Sequence, residues 1–125
     1  MTGTEIWKSA MAFLEQDSAN SEDYRPLAVH YLNLLLQEAL PYENQAREYR
    51  GEVPLEKAPD FSRLEDTIPY CDEILRTALP YGLASFFFSN DLDHYRSAEF
   101  RTRYLNALRT AAEKTHWERI VDVYA

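Results

Sequence analysis

Two histidines in this sequence each follow a carboxylate by three positions: His94 after Asp91, and His116 after Glu113. On a helix that spacing places both side chains on one face, and carboxylate-x-x-His pairs of this kind supply ligands to di-iron bundles. A di-iron centre also needs a bridging carboxylate from each of two other helices, which Glu15 or Glu38 would have to provide. Asp91, however, falls at an expected helix start among polar neighbours, and a solvated charged face accounts for both pairs more simply. Cys71 lies near another expected helix start, where a thiol's pKa can fall far enough to make a nucleophile. A small buried residue beside Tyr70 and Ile74 is the simpler reading. No G-x-S-x-G, phosphate-loop or dinucleotide pattern is present, and three glycines could hardly build one. The chain is therefore read as a non-enzyme, with no catalytic residue, cofactor or metal expected.

A different chemistry remains at the C-terminus. After Lys114 the pattern changes to an apolar tail carrying Trp117, Ile120, Val121, Val123 and Tyr124. It can fold back over the chain's own core, as docked termini often do, or it can fill a groove on a neighbouring subunit. Sequence leaves both open, and these five residues are the candidate subunit interface. The expected organisation is a helical domain over 1–116 and a tail over 117–125.

Helical periodicity dominates the rest of the chain. Thr2 and Glu5 have capping-box spacing ahead of Ile6, Ala10, Phe13 and Leu14, which predicts a first helix to about Gln16. Asp23 is the expected N-cap of a second helix with Pro26 in its first turn. The apolar stripe there runs Leu27, Ala28, Tyr31, Leu32, Leu35, Leu36, Ala39, Leu40. Pro41 should kink that helix, with continuation to a C-cap at Gly51 favoured over a break. Residues 52–61 hold two prolines and no period, hence a loop; Ser62 and Glu65 suggest a single helical turn. Pro69 is the expected first residue of a central helix that is apolar nearly all round beyond Ala78. It should kink at Pro80, and Gly82 should admit a close neighbour. Asp91 is the expected N-cap of a last helix with Leu92, Tyr95, Phe100, Tyr104, Leu108 and Ala111 inward, and Glu99 and Arg103 paired outside. The fold class is all-α: a small single-domain bundle of four to five helices.

Composition agrees and excludes alternatives. The 125 residues are 46% hydrophobic and 27% charged, which suits one globular core. Three glycines are too few for a turn-rich sandwich or barrel. The formal net charge of −8 opposes a nucleic-acid-gripping surface and an anionic membrane surface alike. One cysteine permits no internal disulfide, which fits a reducing cytoplasm, and no stretch reads as a signal peptide or a membrane span.

The order of motifs resembles a known family. Asn33-Leu34-Leu35-Leu36-Gln37-Glu38 leads into Pro41-Tyr42-Glu43-Asn44, then a proline-containing loop and Ile68-Pro69-Tyr70. Ala78-Leu79-Pro80-Tyr81-Gly82-Leu83-Ala84 and a closing helix over Phe100 to Leu108 follow. This resembles the head–tail connector, or adaptor, proteins of long-tailed bacteriophages and prophages of Gram-positive bacteria. The likeness covers about Tyr24 to Tyr124 and departs in a longer second helix and in the Pro80-Tyr81-Gly82 interruption. It implies a protein made in the host bacterial cytoplasm and located in the virion neck. There, copies would self-associate into a ring, with portal above, tail or neck proteins below, and DNA passing without specific binding. Two other readings stand beside it: a helical metal-binding, di-iron-like enzyme, and a small cytoplasmic regulator that binds a partner protein.

Overall fold

The computed structural model describes residues 1–14, 24–60 and 62–124, with side chains described as far as Lys114. Four α-helices carry the architecture among the described residues: α1 (Gly3–Phe13), α2 (Arg25–Arg50), α3 (Leu79–Asn90) and α4 (His94–Tyr124). A π-helical turn, Ile74–Ala78, leads directly into α3. The chain is thus an all-α bundle. Helix α4 packs on α3, on α2 and on the π-turn, and α1 closes the other side against α3 and α2.

Local chemistry explains most of the boundaries. Thr2 caps α1, its hydroxyl accepting from the Glu5 N–H while Glu5 reaches back to the Thr2 N–H, so the expected capping box forms. Helix α1 stops at Phe13 with Leu14 as its cap; the expected extension to Gln16 falls outside the described residues. Tyr24, with no side-chain cap bond, occupies the N-cap position of α2, with Pro26 in the first turn; Asp23, the expected cap, lies outside the described residues. Helix α2 then runs unbroken through Pro41 to a left-handed Gly51, as favoured.

Four expectations are corrected. Ser62 to Asp66 form a reverse turn, with the Asp66 N–H on the Arg63 carbonyl, and no helical turn. This segment instead serves α1: the Thr4 N–H donates to the Leu64 carbonyl at 2.8 Å, and the Gly3 N–H to that of Asp66 at 3.4 Å. Two of the helix's orphan donors are thereby satisfied by a distant loop. Pro69 stays outside the helix that follows, which begins at Asp72. The Ile68 N–H is bonded to the Met1 carbonyl and Thr67 bridges Thr2, so 67–69 is held extended. At Pro80 the irregularity takes the form of the π-turn just before it, where the Leu79 N–H donates to the Ile74 carbonyl, five residues back. Finally, Asp91 terminates α3, and Asp93 caps α4, its side chain accepting from the Arg96 N–H at 3.1 Å.

The core is aliphatic at its centre and aromatic at one flank. Ile6, Leu32, Leu35, Leu36, Ile74, Leu75, Leu79, Leu83 and Leu108 are fully buried. Phe13, Tyr81, Phe88 and Phe100 form a ring cluster with centroids 5.1–5.9 Å apart, and Tyr31 stacks with Phe86 and Phe87. Gly82 sits where α3 meets α2 and α4, and a Cβ there would lie 2.8 Å from Leu35 Cδ2 and 2.9 Å from Tyr104 Cδ1. The close approach expected at this glycine is present.

Candidate functional site

The metal candidates are not brought together. Asp91 and His94 lie at the start of α4 and Glu113 near its far end. Nineteen residues of α-helix between His94 and Glu113 separate the two pairs by about 28 Å at 1.5 Å per residue. Asp91 accepts a hydrogen bond from the Tyr24 hydroxyl at 2.7 Å, and Glu38 is held in a bidentate pair with Arg101, one arm of it 3.0 Å. Glu15 and the side chain of His116 lie outside the described residues. Among the described residues no group of three His, Cys, Asp or Glu is placed to hold a metal ion.

Cys71 is half-buried, and its surroundings oppose a nucleophile. Burial pushes its thiol pKa up, and the nearby Glu43 carboxylate adds to the rise, against smaller opposing effects from a backbone hydrogen bond and Arg50. Its N–H donates to Glu43 Oε2 at 2.9 Å.

Glu43 is the polar residue that sequence reasoning left without a role. Its carboxylate is 1% exposed, 3.1 Å from Arg47 and 3.7 Å from Arg50. Arg47 in turn donates to the Pro69 carbonyl at 2.9 Å and to that of Val53 at 3.3 Å. One turn away, Asn44 and Leu55 exchange two hydrogen bonds, 2.9 and 2.7 Å. The polar second half of α2 is therefore a clamp on the aperiodic segment after Gly51. The visible signal was the i,i+4 spacing of Glu43 and Arg47, which alone reads as a solvated pair. Tyr70 and Tyr104 complete the polar interior by donating to the Leu36 and Leu35 carbonyls, at 2.5 and 3.4 Å. Burial is the main cause that raises both phenol pKa values well above the ordinary range. These groups brace the fold, and each faces protein.

The surface offers less polar chemistry and more apolar area. Leu92 and Tyr95, expected to point inward, are 76% and 82% exposed at the α3–α4 corner; Phe100, Tyr104, Leu108 and Ala111 of the same expected face are buried. The reason is the corner itself, which turns the first residues of α4 away from α3 before the helix meets the core. Glu99 and Arg103 pair at 2.7 Å on the solvated side, as their spacing predicts. The backbone of α4 stays helical across residue 116 to Tyr124, with no break at the expected domain boundary. The side chains of Trp117, Ile120, Val121, Val123 and Tyr124 lie outside the described residues. Among the described residues no helix is long and apolar enough to cross a membrane.

Comparison with protein-family models, with curated proteins and with solved structures finds no match to this chain.

Proposed function

We propose that this chain is a virion structural protein, a head–tail connector of a long-tailed bacteriophage or prophage of Gram-positive bacteria. In this reading, copies associate into a ring around the DNA channel, beneath the portal and above the tail or neck proteins. The protein is made in the host cytoplasm, ends in the virion neck, and catalyses no reaction.

The observation that carries the reading is the exposed apolar corner of Leu92 and Tyr95, which suits a surface covered by another subunit. Charge also supports it, since a net −8 repels phosphates and lets DNA pass without sticking. The buried carboxylate points the same way: Glu43 is committed to bonds within the chain and braces a loop.

The test is to mix the purified protein with the portal protein encoded beside it and to image the product by negative-stain microscopy. A ring beneath the portal is expected. Deleting Arg119 to Ala125 is expected to leave the domain folded, by circular dichroism, and to abolish assembly. A full-length protein that ignores its portal, or that carries stoichiometric iron or manganese, refutes the reading.

A further inference from the structure

Two helices of this chain end in the same turn, with different residues at its critical position. At the end of α2 the Glu52 N–H donates to the Arg47 carbonyl at 2.8 Å and the Gly51 N–H to that of Glu48 at 3.0 Å. At the end of α3 the Asp93 N–H donates to Phe88 at 2.8 Å and the Leu92 N–H to Ser89 at 3.1 Å. Both are Schellman endings, which require one left-handed residue. Gly51 meets that requirement at φ +76°; at the second ending Leu92 meets it at φ +64°. A side chain in that conformation crowds its own backbone, which is why glycine is the usual occupant. The chain therefore holds a leucine in strained backbone and displays it to water. Tyr95 stands one turn on, and Asp91 and Asp93 flank the leucine.

An open cleft of about 650 Å³ has the converse chemistry. Pro26, Val29 and Leu64 give it apolar walls, and Arg25 and Arg63 stand beside them. Glu65 holds Arg25 at 2.8 Å but reaches Arg63 only at 3.8 Å, and Arg63 is 72% exposed. Two arginines against one glutamate make a local positive excess in a chain of net charge −8.

We propose that the Asp91–Tyr95 corner of one copy docks into the Arg25–Glu65 cleft of a second copy. Leu92 and Tyr95 cover Pro26, Val29 and Leu64, while Asp91 and Asp93 face Arg25 and Arg63. This rests on the self-association in the reading above and names the surfaces that make it. Because corner and cleft are different surfaces, the contact can pass from copy to copy, as ring closure requires.

The test uses the whole chain in a Cys71→Ser background. Two single variants, Leu92→Cys and Ser62→Cys, one of them tagged, are mixed and oxidised over a concentration series. A disulfide joining one variant to the other is expected to exceed either homodimer, and to fall as salt is raised. In sedimentation, Leu92→Gly is expected to weaken association by about tenfold or more, the loss of one buried leucine. The same change should raise the melting temperature by roughly 2–5 °C by relieving the turn. Crossed disulfide no more abundant than with an exposed Lys57→Cys control overturns the proposal, as does a Leu92→Gly protein that associates like the parent. Portal binding is scored separately. Self-association through this corner without portal binding refutes only the connector reading, and portal binding without the crossed disulfide refutes only this contact.

Discussion

Gly82→Ala tests the packing of the three long helices, because two effects of opposite sign meet at that position. In an open helix interior alanine would stabilise by about 0.5–1 kcal/mol over glycine, through the lower entropy of the unfolded chain. Here the added Cβ meets Leu35 Cδ2 at 2.8 Å and Tyr104 Cδ1 and Cε1 at 2.9 and 3.1 Å. The leucine methyl can swing aside. The tyrosine ring cannot, since it is fully buried and its hydroxyl is tied to the Leu35 carbonyl. Overpacking of this kind costs about 1–3 kcal/mol, which exceeds the gain. The net expectation is a loss of about 1–2 kcal/mol, read as a fall of roughly 3–8 °C in melting temperature. Circular dichroism or calorimetry of Gly82→Ala measures it. A double-mutant cycle with Leu35→Ala adds a check, because removing one of the two obstacles should make the glycine change cheaper. A Tm that rises on Gly82→Ala refutes the reasoning: the α2–α3–α4 contact would then be looser than a 2.8 Å approach implies.

Three further predictions address the interior. Glu43→Ala leaves Arg47 and the Cys71 N–H without their acceptor and should cost about 2–4 kcal/mol in urea unfolding, with Glu43→Gln cheaper because an acceptor remains; an unchanged midpoint for Glu43→Ala would show the clamp to be idle. Leu79→Ala, at a fully buried position, should cost about 2–5 kcal/mol, whereas half-buried Phe86→Ala should cost less; the reverse order in thermal unfolding would mean α3 faces the wrong way. Tyr70, Tyr104 and Cys71 have folded-state pKa values raised above their unfolded ones, so the folded protein binds more protons at alkaline pH. The stability this gives is complete below the ordinary thiol and phenol values, and is lost as pH climbs through about 9–11. Melting temperatures that stay flat across that range would contradict the burial of the phenols.

The helices were legible because their apolar spacing is regular and their end signals are local. Thr2 with Glu5, Pro26 and Gly51 each act through their own turn, so a sequence window contains the whole cause. What escaped has its cause elsewhere in the chain. The extended run 67–69 is set by Met1 and Thr2, so Pro69 could look like a helix start while being held off one. Glu43 and Arg47 looked like a solvated pair because the loop they grip has no period of its own to reveal it. The π-turn adds one residue to a helical circuit that any period-3.6 reading passes over smoothly. At the α3–α4 corner the choice between Asp91 and Asp93 as cap was a matter of two residues, and it decided whether Leu92 faced the core or the solvent. The tail residues Trp117 to Tyr124 were legible as apolar, but their packing depends on what lies beside α4.

Local rules are broken at three positions, and how each is compensated separates structural from functional causes. Glu43 is a buried carboxylate, yet Arg47, Arg50 and the Cys71 N–H meet its charge, so the violation closes within the chain. Trp7 buries an indole N–H with no partner among the described residues, but Arg25 lies over its ring at 5.4 Å and the apolar body of the side chain packs in the core. Leu92 has neither kind of return: its backbone is strained, its side chain is in water, and a glycine at the equivalent point of α2 makes the same turn without strain. A chain that already uses the cheaper residue at one such ending has no folding reason to abandon it at the other. The compensation for Leu92 must then come from a second molecule, which is what makes the corner, and not the buried carboxylate, the place to look for function.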